Sequence, residues 1–221
     1  MKSSETILWM AERLGERFGP ISIPLEDPVE TLVLTILSQN TNDTNRDRAY
    51  ASLVETFGDL ESVRSAPIEK IAEAIRSGGL HQQKAKHISD VLRRIHNVRG
   101  RLDLSFLGGM DTTDALAWLQ ASPGVGPKTA GIVLLFAFNK PFFPVDTHIR
   151  RVLGRMGLVA SSEDPHRPMN RWLPADPELM RRLHLQMIRL GREVCHPRKP
   201  ECGDCPLGAR CPWRREQQRG E

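Results

Sequence analysis

The feature that most constrains this chain is the position of its cysteines. All four lie within the last 27 of its 221 residues, and their spacing is C-x6-C-x2-C-x5-C. Prolines and glycines between them favour a loop rather than a helix. Four thiolates on one compact loop can bind a [4Fe–4S] cluster or a tetrahedral zinc ion, and unligated thiols are a third possibility. The candidate metal ligands are Cys195, Cys202, Cys205 and Cys211.

The composition is that of an ordinary folded protein. Charged residues make up 26% and hydrophobic residues 39% of a chain long enough to bury a core without disulfides. The formal net charge of +4 is compatible with a polyanionic partner but does not require one. The sequence shows no signal peptide, and no run approaches the roughly 18 apolar residues of a membrane helix. We therefore expect a cytoplasmic protein whose reduced thiols bind metal rather than form disulfides.

Hydrophobic periodicity predicts a chain that is almost entirely helical. Apolar residues recur three and four apart over residues 7–14, and that segment ends at Gly19. Asp27 followed by proline has the form of a helix start, and Asp43 is predicted to cap the next helix. A long amphipathic helix is expected over residues 82–96. Its apolar face carries Ile88, Val91, Leu92 and Ile95, and its other faces carry Lys84, Lys86, Arg93 and Arg94.

Three stretches are expected to be irregular. They are the connection over residues 99–114, the proline-rich stretch over residues 165–177 and the charged tail after Trp213. The sequence has no alternating strand pattern of convincing length and no internal repeat. The predicted fold class is therefore all-α.

A second group of residues that carries chemistry is S-P-G-V-G-P-K-T over residues 122–129, between two apolar helical stretches. Its two glycines permit positive φ, and the following proline suits the first turn of a helix. A glycine-bounded turn before a helix points backbone N–H groups outward, which suits a phosphate. Taken alone, a plain turn between two helices explains the pattern equally well. The candidate phosphate contacts are Gly124, Val125, Gly126 and Thr129.

The pattern continues to V-D-T-H over residues 145–148, with Asp146 eighteen residues after Lys128. In these motifs and in its cysteine spacing, the chain resembles the endonuclease III family of helix–hairpin–helix DNA glycosylases. The one departure in the hairpin is Ser122, where the family usually has leucine. The resemblance covers roughly residues 28–212 and favours a [4Fe–4S] cluster over zinc, because a zinc ribbon pairs two C-x2-C motifs and this chain has one.

The resemblance implies a two-domain, all-α DNA glycosylase fold. Residues 28–140 would form a six-helix barrel that carries the helix–hairpin–helix. Residues 1–27 and 141–221 would form the iron–sulfur cluster domain, whose basic loop would contact DNA through Arg198 and Lys199. Duplex DNA would lie in the cleft between the two domains and be held mainly by its phosphates.

Lys128 and Asp146 are the implied catalytic residues, and their chemistry suits base excision. Removing a base from deoxyribose develops positive charge on the sugar, which a carboxylate stabilises. A lysine amine becomes a useful nucleophile when its pKa is lowered, and a helix start contributes the necessary positive potential. Attack at C1′ gives a Schiff base, and β-elimination then nicks the strand. The alternative is a phosphate-binding Lys128 and an Asp146 that only caps a helix.

A glycosylase must extrude its target nucleotide and fill the gap that this leaves. The segments that match the family's intercalating loops are residues 37–43 and 79–81. Asn40 stands where the family has glutamine, with Gln39 adjacent to it, and Leu80 matches the intercalating leucine. Ordinary packing explains a loop leucine equally well, and a structural role does so for His148, which the resemblance places near the flipped nucleotide. The candidate contacts are Gln39, Asn40, Leu80, His81 and His148.

The resulting hypothesis is a monomeric, nucleoid-associated base excision repair enzyme. It would remove oxidised pyrimidines from double-stranded DNA and nick the abasic site through a lysine Schiff base. The Gln39-Asn40-Thr41 run and the Leu102-Asp103-Leu104 segment also resemble the lineages that contain mismatch and 5-methylcytosine glycosylases, which leaves the preferred base open. The lysine argues against the adenine and thymine mismatch members, which in general lack it. One alternative is a monofunctional glycosylase for uracil, mismatched thymine or alkylated bases. Another is a non-enzymatic iron–sulfur protein that binds DNA.

Overall fold

The computed structural model describes residues 2–21 and 23–219, and this part of the chain contains helices and no strand. The prediction of an all-α fold is confirmed. None of the described helices is long and apolar enough to cross a membrane. The α-helices are α1 (Lys2–Phe18), α2 (Pro28–Leu37), α3 (Asp43–Phe57), α4 (Leu60–Ser65), α5 (Ile68–Ala74), α6 (His81–Arg99), α7 (Thr112–Gln120), α8 (Pro127–Ala137), α9 (Thr147–Arg155), α10 (His166–Trp172), α11 (Pro177–Glu193) and α12 (Pro212–Arg219).

The chain divides into two compact units. Leu25–Phe138 form the first, here called the hairpin unit, and Met1–Pro24 with Asn139–Glu221 form the second, here called the cluster unit. The hairpin unit is built around α2, which packs on α8, α3 and α6. α2 and α8 are apolar on most of their surface because other helices surround them, which is the pattern expected of central helices.

Two helices of the hairpin unit begin at or next to the capping residue that the sequence predicts. The Asp27 carboxylate accepts hydrogen bonds from the amides of Val29 (3.0 Å) and Glu30 (2.8 Å), as predicted. The prediction that Asp43 caps α3 was wrong by one residue. Asn42 has the extended backbone of a cap, and its side-chain oxygen accepts a hydrogen bond from the Asn45 amide at 2.8 Å. Both side chains can cap, and the backbone conformation decides between them.

The expectation for residues 99–114 was partly wrong. Ser105–Gly109 form a 3-10 helix, and α7 begins at Thr112. Leu104 and Leu107 are fully buried in the core of the hairpin unit. Asp103 accepts a hydrogen bond from the Ser105 amide (2.7 Å) at the start of the 3-10 helix. This stretch is therefore a packed part of the unit.

The cluster unit consists of α1, α9, α10, α11 and α12, in which α11 packs on α1 and α9. Two predictions of irregular structure were wrong here. The stretch over residues 165–177 contains α10, which buries Met169, and residues 214–219 of the tail belong to α12, while residues 220–221 lie outside the described residues. Arg155 lies over the ring of Trp213 at 4.4 Å from its centroid, which holds the start of α12 against α9. Local composition gave no sign of either contact.

Candidate functional site

The glycine-rich hairpin joins α7 to α8. A hydrogen bond from the Val125 amide to the Ser122 carbonyl closes the turn at 3.1 Å. Gly124 has φ +78°, and a Cβ at this position would collide with the His87 ring, so the turn requires glycine here. Lys128 is half-buried in the first turn of α8. The turn thus delivers the predicted nucleophile to the amino end of a helix.

The candidate hairpin contacts differ in exposure. Val125 and Thr129 are buried, with 4% and 3% of their surface exposed, so the structure does not present either residue as a surface contact. Gly126 is exposed and begins α8 without a side-chain cap. The N–H groups at the start of α8 therefore suit an external anion such as a phosphate.

The two candidate residues after α2 have different surroundings. Gln39 is half-buried and donates hydrogen bonds to the Gly124 carbonyl (2.8 Å) and to Thr129 Oγ1 (3.4 Å). Asn40 is exposed and has a positive φ of 51°. The Gln39 amide is thus engaged with the hairpin, whereas the Asn40 side chain is open to solvent.

Leu80 combines two unusual properties. Its side chain is 52% exposed, and its φ of 47° lies in the left-handed region that bulky residues rarely adopt. It immediately precedes α6, whose first residue is the half-buried His81. Leu25 and Val98 are at least as exposed, so the left-handed backbone is what distinguishes Leu80, and its intercalating role stays a prediction.

Ser122, the departure from the family pattern, has a partner in the structure. Arg94 of α6 donates hydrogen bonds to Ser122 Oγ (2.8 Å) and to the Trp118 carbonyl (2.6 Å). The guanidinium of Arg94 also lies 4.1 Å from the centroid of the Trp118 ring. A leucine at position 122 could not accept the first bond. Serine therefore joins the hairpin to α6 by a polar contact.

Asp146 caps α9 in the cluster unit. Its carboxylate accepts a hydrogen bond from the Ile149 amide at 2.7 Å, and its side chain is half-buried. The capping role that the sequence offered as an alternative is therefore real. It does not exclude a catalytic role, because a carboxylate has a second oxygen and further lone pairs.

Three side chains hold the extended segment that leads into Asp146. The Phe143 amide donates to Asn170 Oδ1 (2.6 Å), and the Val145 amide donates to His166 Nε2 (3.2 Å). His184 Nδ1 lies 3.0 Å from the carbonyl of the intervening proline. These bonds satisfy buried backbone groups that have no sheet partner, and they fix the position from which Asp146 starts α9.

His148 is packed within the cluster unit. Its Nδ1 lies 3.1 Å from an Arg151 guanidinium nitrogen, and Arg151 donates to the Gly191 carbonyl at 2.7 Å. A Cβ added at Gly191 would come within 2.8 Å of His148 Cβ, so α9 and α11 approach closely here. The structural role proposed as an alternative for His148 is therefore present.

The four cysteines line one pocket of about 20 Å³. Arg155 of α9 donates to Cys195 Sγ (3.1 Å) and lines this pocket together with Trp213 and Arg214. Burial raises the pKa of the Cys202 and Cys205 thiols, and the neighbouring cysteines raise it further, so metal binding must displace their protons. The cysteines that line the pocket are Cys195, Cys202, Cys205 and Cys211.

The donor set suits an iron–sulfur cluster. Each of the four irons of a [4Fe–4S] cluster takes one thiolate, and four cysteines line this pocket. Four thiolates around a pocket, with an arginine near one sulfur, therefore fit an iron–sulfur cluster.

The loop between the first two cysteines presents two basic residues. Arg198 and Lys199 are both exposed, and Lys199 has a positive φ of 50°. Arg155 supports this loop from below by donating to the carbonyls of His196 (2.8 Å) and Pro197 (3.1 Å). The backbone of this loop is thus held by Arg155, while its two basic side chains are exposed to solvent.

Comparison with known proteins identifies the family. Residues 33–173 match the HhH-GPD superfamily of base excision DNA repair proteins, and residues 195–211 match the iron–sulfur binding domain of endonuclease III. The chain belongs to the endonuclease III family. It is 33% identical to endonuclease III of Thermotoga maritima over 215 residues, which cover 96% of this chain and 95% of the relative.

Two further relatives extend the comparison. A solved structure of a non-covalent endonuclease III–DNA complex superposes with a TM-score of 0.81 at 26% identity and covers 98% of both chains. The thymine-DNA glycosylase of Aeropyrum pernix is 29% identical over 193 residues, covering 84% of this chain and 82% of the relative. The predictions of an endonuclease III fold, a base excision DNA glycosylase and a [4Fe–4S] cofactor are confirmed.

Several residues that support the site were not identified from the sequence. Lys84 was placed on a polar face of its helix, but it is buried with 2% of its surface exposed. Its spacing of four from Ile88, on the apolar face of α6, was the signal that could have shown this. Three other side chains form hydrogen bonds with backbone atoms that are distant in sequence, and no local pattern predicts such bonds. They are Arg94, His166 and Asn170.

Proposed function

We propose that this endonuclease III family member is bifunctional, with Lys128 as nucleophile and Asp146 as the carboxylate that stabilises the sugar cation. The observation that carries the proposal is the position of Lys128 in the first turn of α8, directly after the glycine hairpin. Positive potential at a helix start favours the neutral, nucleophilic amine. Lys128 belongs to the hairpin unit and Asp146 to the cluster unit, so the proposal requires both units to act on one nucleotide.

The reaction is excision followed by strand nicking. The Lys128 amine attacks C1′, the bond from C1′ to the base breaks, and the base leaves with a proton. The ring-opened Schiff base then loses its C2′ proton, and β-elimination breaks the bond to the 3′ phosphate. Asp146 stabilises the positive charge that develops on the sugar, and its Ile149 hydrogen bond orients the carboxylate.

Duplex DNA containing an oxidised pyrimidine is the proposed substrate. Asn40 and Leu80 would enter the duplex when the damaged nucleotide is extruded, and their exposure with left-handed backbone supports this role. The backbone N–H groups of Gly124 and Gly126 would bind a phosphate, and Arg198 and Lys199 would bind another. His81, at the start of α6, would contact the strand beside Leu80.

The cluster supports this function as a structural cofactor. We propose that the hairpin unit is the six-helix barrel domain and that the cluster unit is the iron–sulfur domain. When bound, the cluster cross-links the C-terminal loop through four thiolates and so orders the basic residues between the first two of them. The proposed ligands are Cys195, Cys202, Cys205 and Cys211. A monomer is proposed, which light scattering would test.

Borohydride trapping tests the proposal. Duplex oligonucleotides would carry thymine glycol, uracil, a G·T mismatch or a preformed abasic site, and wild type would be compared with Lys128→Ala and Asp146→Ala. Lys86→Ala, an exposed lysine on α6 of the same unit, is the matched control. A covalent adduct on thymine glycol that disappears only with Lys128→Ala supports the bifunctional reaction on oxidised pyrimidines.

A monofunctional glycosylase for mismatched thymine is the second candidate, favoured by the likeness to the thymine-DNA glycosylase. Such an enzyme would release thymine from the G·T duplex and leave an intact abasic strand. Product gels run with and without hot alkali separate the two candidates. Tight duplex binding with no base release and no adduct on any substrate would contradict both.

A further inference from the structure

Lys84 on α6 is a buried lysine that the proposed reaction does not use. Only 2% of its surface is exposed, and lysines are almost never buried to this extent unless they are paired. Its ammonium donates hydrogen bonds to the carbonyls of Leu37 (2.6 Å) and Gly78 (2.8 Å). Both bonds are charge-assisted, and the first spans 47 residues of sequence.

The two carbonyls belong to the segments that carry the proposed intercalating residues. Leu37 is the last residue of α2, and Asn40 follows it by three positions. Gly78 is the last residue of a short 3-10 helix, and Leu80 follows it by two positions. One ammonium therefore holds both segments at the points where each leaves its helix.

The electrostatics at these helix ends favour the arrangement. The C-terminal end of α2 carries partial negative charge on carbonyls without intrahelical partners, and no basic residue of α2 lies in its last turn. Lys84 supplies the missing positive charge from another helix. Burial lowers the pKa of Lys84, while two carbonyl acceptors favour its charged form.

The segment that carries Asn40 is also held on its other side. Gln39 donates to the Gly124 carbonyl and to Thr129 Oγ1, which flank the first turn of α8. Lys84 thus links Gly78 to Leu37 at the end of α2, and Gln39, two residues after Leu37, links the same segment to the hairpin. Asn40 and Leu80 themselves stay exposed, so the bonds hold the backbone and leave the side chains accessible.

We propose that Lys84 is a positioning residue for nucleotide extrusion, because its ammonium sets the spacing between the segments that insert Asn40 and Leu80 into the duplex. The inference rests on the proposed roles of those two residues. If the spacing is lost, the two side chains no longer enter the same gap together. Extrusion from a paired duplex then slows, while chemistry on an already unpaired nucleotide continues.

The test compares one variant on two substrates. Lys84→Met keeps a similar length and removes the donors. Single-turnover rates would be measured on thymine glycol paired with adenine in a duplex, and on a preformed abasic site in a single strand, which needs no extrusion. We expect the duplex rate to fall by roughly tenfold to a hundredfold, as for a misplaced positioning group, with the single-strand rate within about twofold of wild type.

Controls separate positioning from a general loss of stability. Leu104→Ala creates a cavity in the core of the same unit and should lower both rates by the same factor. Visible absorbance of the cluster and far-ultraviolet circular dichroism check that each variant is folded. If Lys84→Met does not fold, Lys84→Gln retains an amide donor and should show a smaller change in the same ratio.

The outcomes distinguish this inference from the proposed function. A Lys84 variant that slows both substrates equally, or neither, overturns the positioning role. Leu80→Ala and Asn40→Ala test the intercalating roles separately, since they should lower only the duplex rate. If those two variants leave the duplex rate unchanged, the proposed intercalation fails, whatever Lys84→Met does.

Discussion

Asp146 has an observed capping role and a proposed catalytic role, and substitution can separate the two. Its carboxylate accepts a hydrogen bond from the Ile149 amide at 2.7 Å and so caps α9, and it is also the proposed stabiliser of the sugar cation. Asparagine has the same size and caps helices as well as aspartate does, but it carries no negative charge. Alanine removes both the cap and the charge. Asp146→Asn and Asp146→Ala therefore isolate the two contributions.

The two variants should differ in stability and agree in activity. Loss of an N-cap costs about 1 kcal/mol, so Asp146→Ala should lower Tm by roughly 2–4 °C in a chain of this length. Asp146→Asn should stay within about 1 °C of wild type, because the Ile149 amide keeps an acceptor. Loss of preorganised charge at the reacting sugar costs on the order of a hundredfold to a thousandfold in rate, and both variants lose it.

Differential scanning calorimetry of the holoprotein and single-turnover excision from a thymine glycol duplex measure the two effects. Asp146→Ser is a further control, because serine restores a cap without restoring the carboxylate. An Asp146→Asn enzyme that keeps excision within about threefold of wild type would refute the electrostatic role, since the expected loss is far larger. Activity that followed Tm across the three variants would reduce Asp146 to a helix cap.

Three further predictions concern the hairpin, the packed connection and the cluster. Gly124→Ala should cost about 1–3 kcal/mol through its positive φ, whereas Gly126→Ala should cost about 1 kcal/mol or less, as urea unfolding would show. The Ser105 amide keeps the pKa of Asp103 below its usual value, so its stabilisation is present above about pH 4 and is lost as the pH falls below that value. Asp103→Ala should therefore be less stable than wild type at pH 7, and the two unfolding curves should converge in acid. Cys202→Ser should lower the iron content and the visible absorbance of the purified protein.

Much of the fold could be predicted because its signals are local. Asp27 followed by proline set the start of α2, and the glycine hairpin set the junction of α7 and α8. The errors arose where long-range contacts decide the structure. Prolines around α10 favoured a loop, but the burial of Met169 and the bonds of Asn170 make the stretch helical. Residues 214–219 of the charged tail are helical, and the Arg155 guanidinium over the Trp213 ring holds the start of that helix.

The site divides in the same way. Lys128, Asp146 and the cysteines stand in contiguous motifs, so a single sequence was enough to propose them. The side chains that position these motifs form hydrogen bonds with backbone carbonyls and amides. Because every residue has the same backbone groups, the sequence does not show which of them is the partner. Lys84 reaches Leu37 across 47 positions, and Gln39 reaches Gly124 across 85. Such contacts depend on the tertiary fold and leave no local pattern in the sequence.

These backbone contacts also explain how exposed residues can be placed accurately. Asn40 and Leu80 have few contacts of their own, and each stands in a backbone conformation that costs free energy. Their neighbours, in contrast, are held at buried atoms by Lys84 and Gln39. A loop anchored on both sides keeps its shape while its side chains stay free to enter a duplex. With the roles proposed for Asn40 and Leu80, removal of the Lys84 ammonium should therefore affect extrusion more than chemistry.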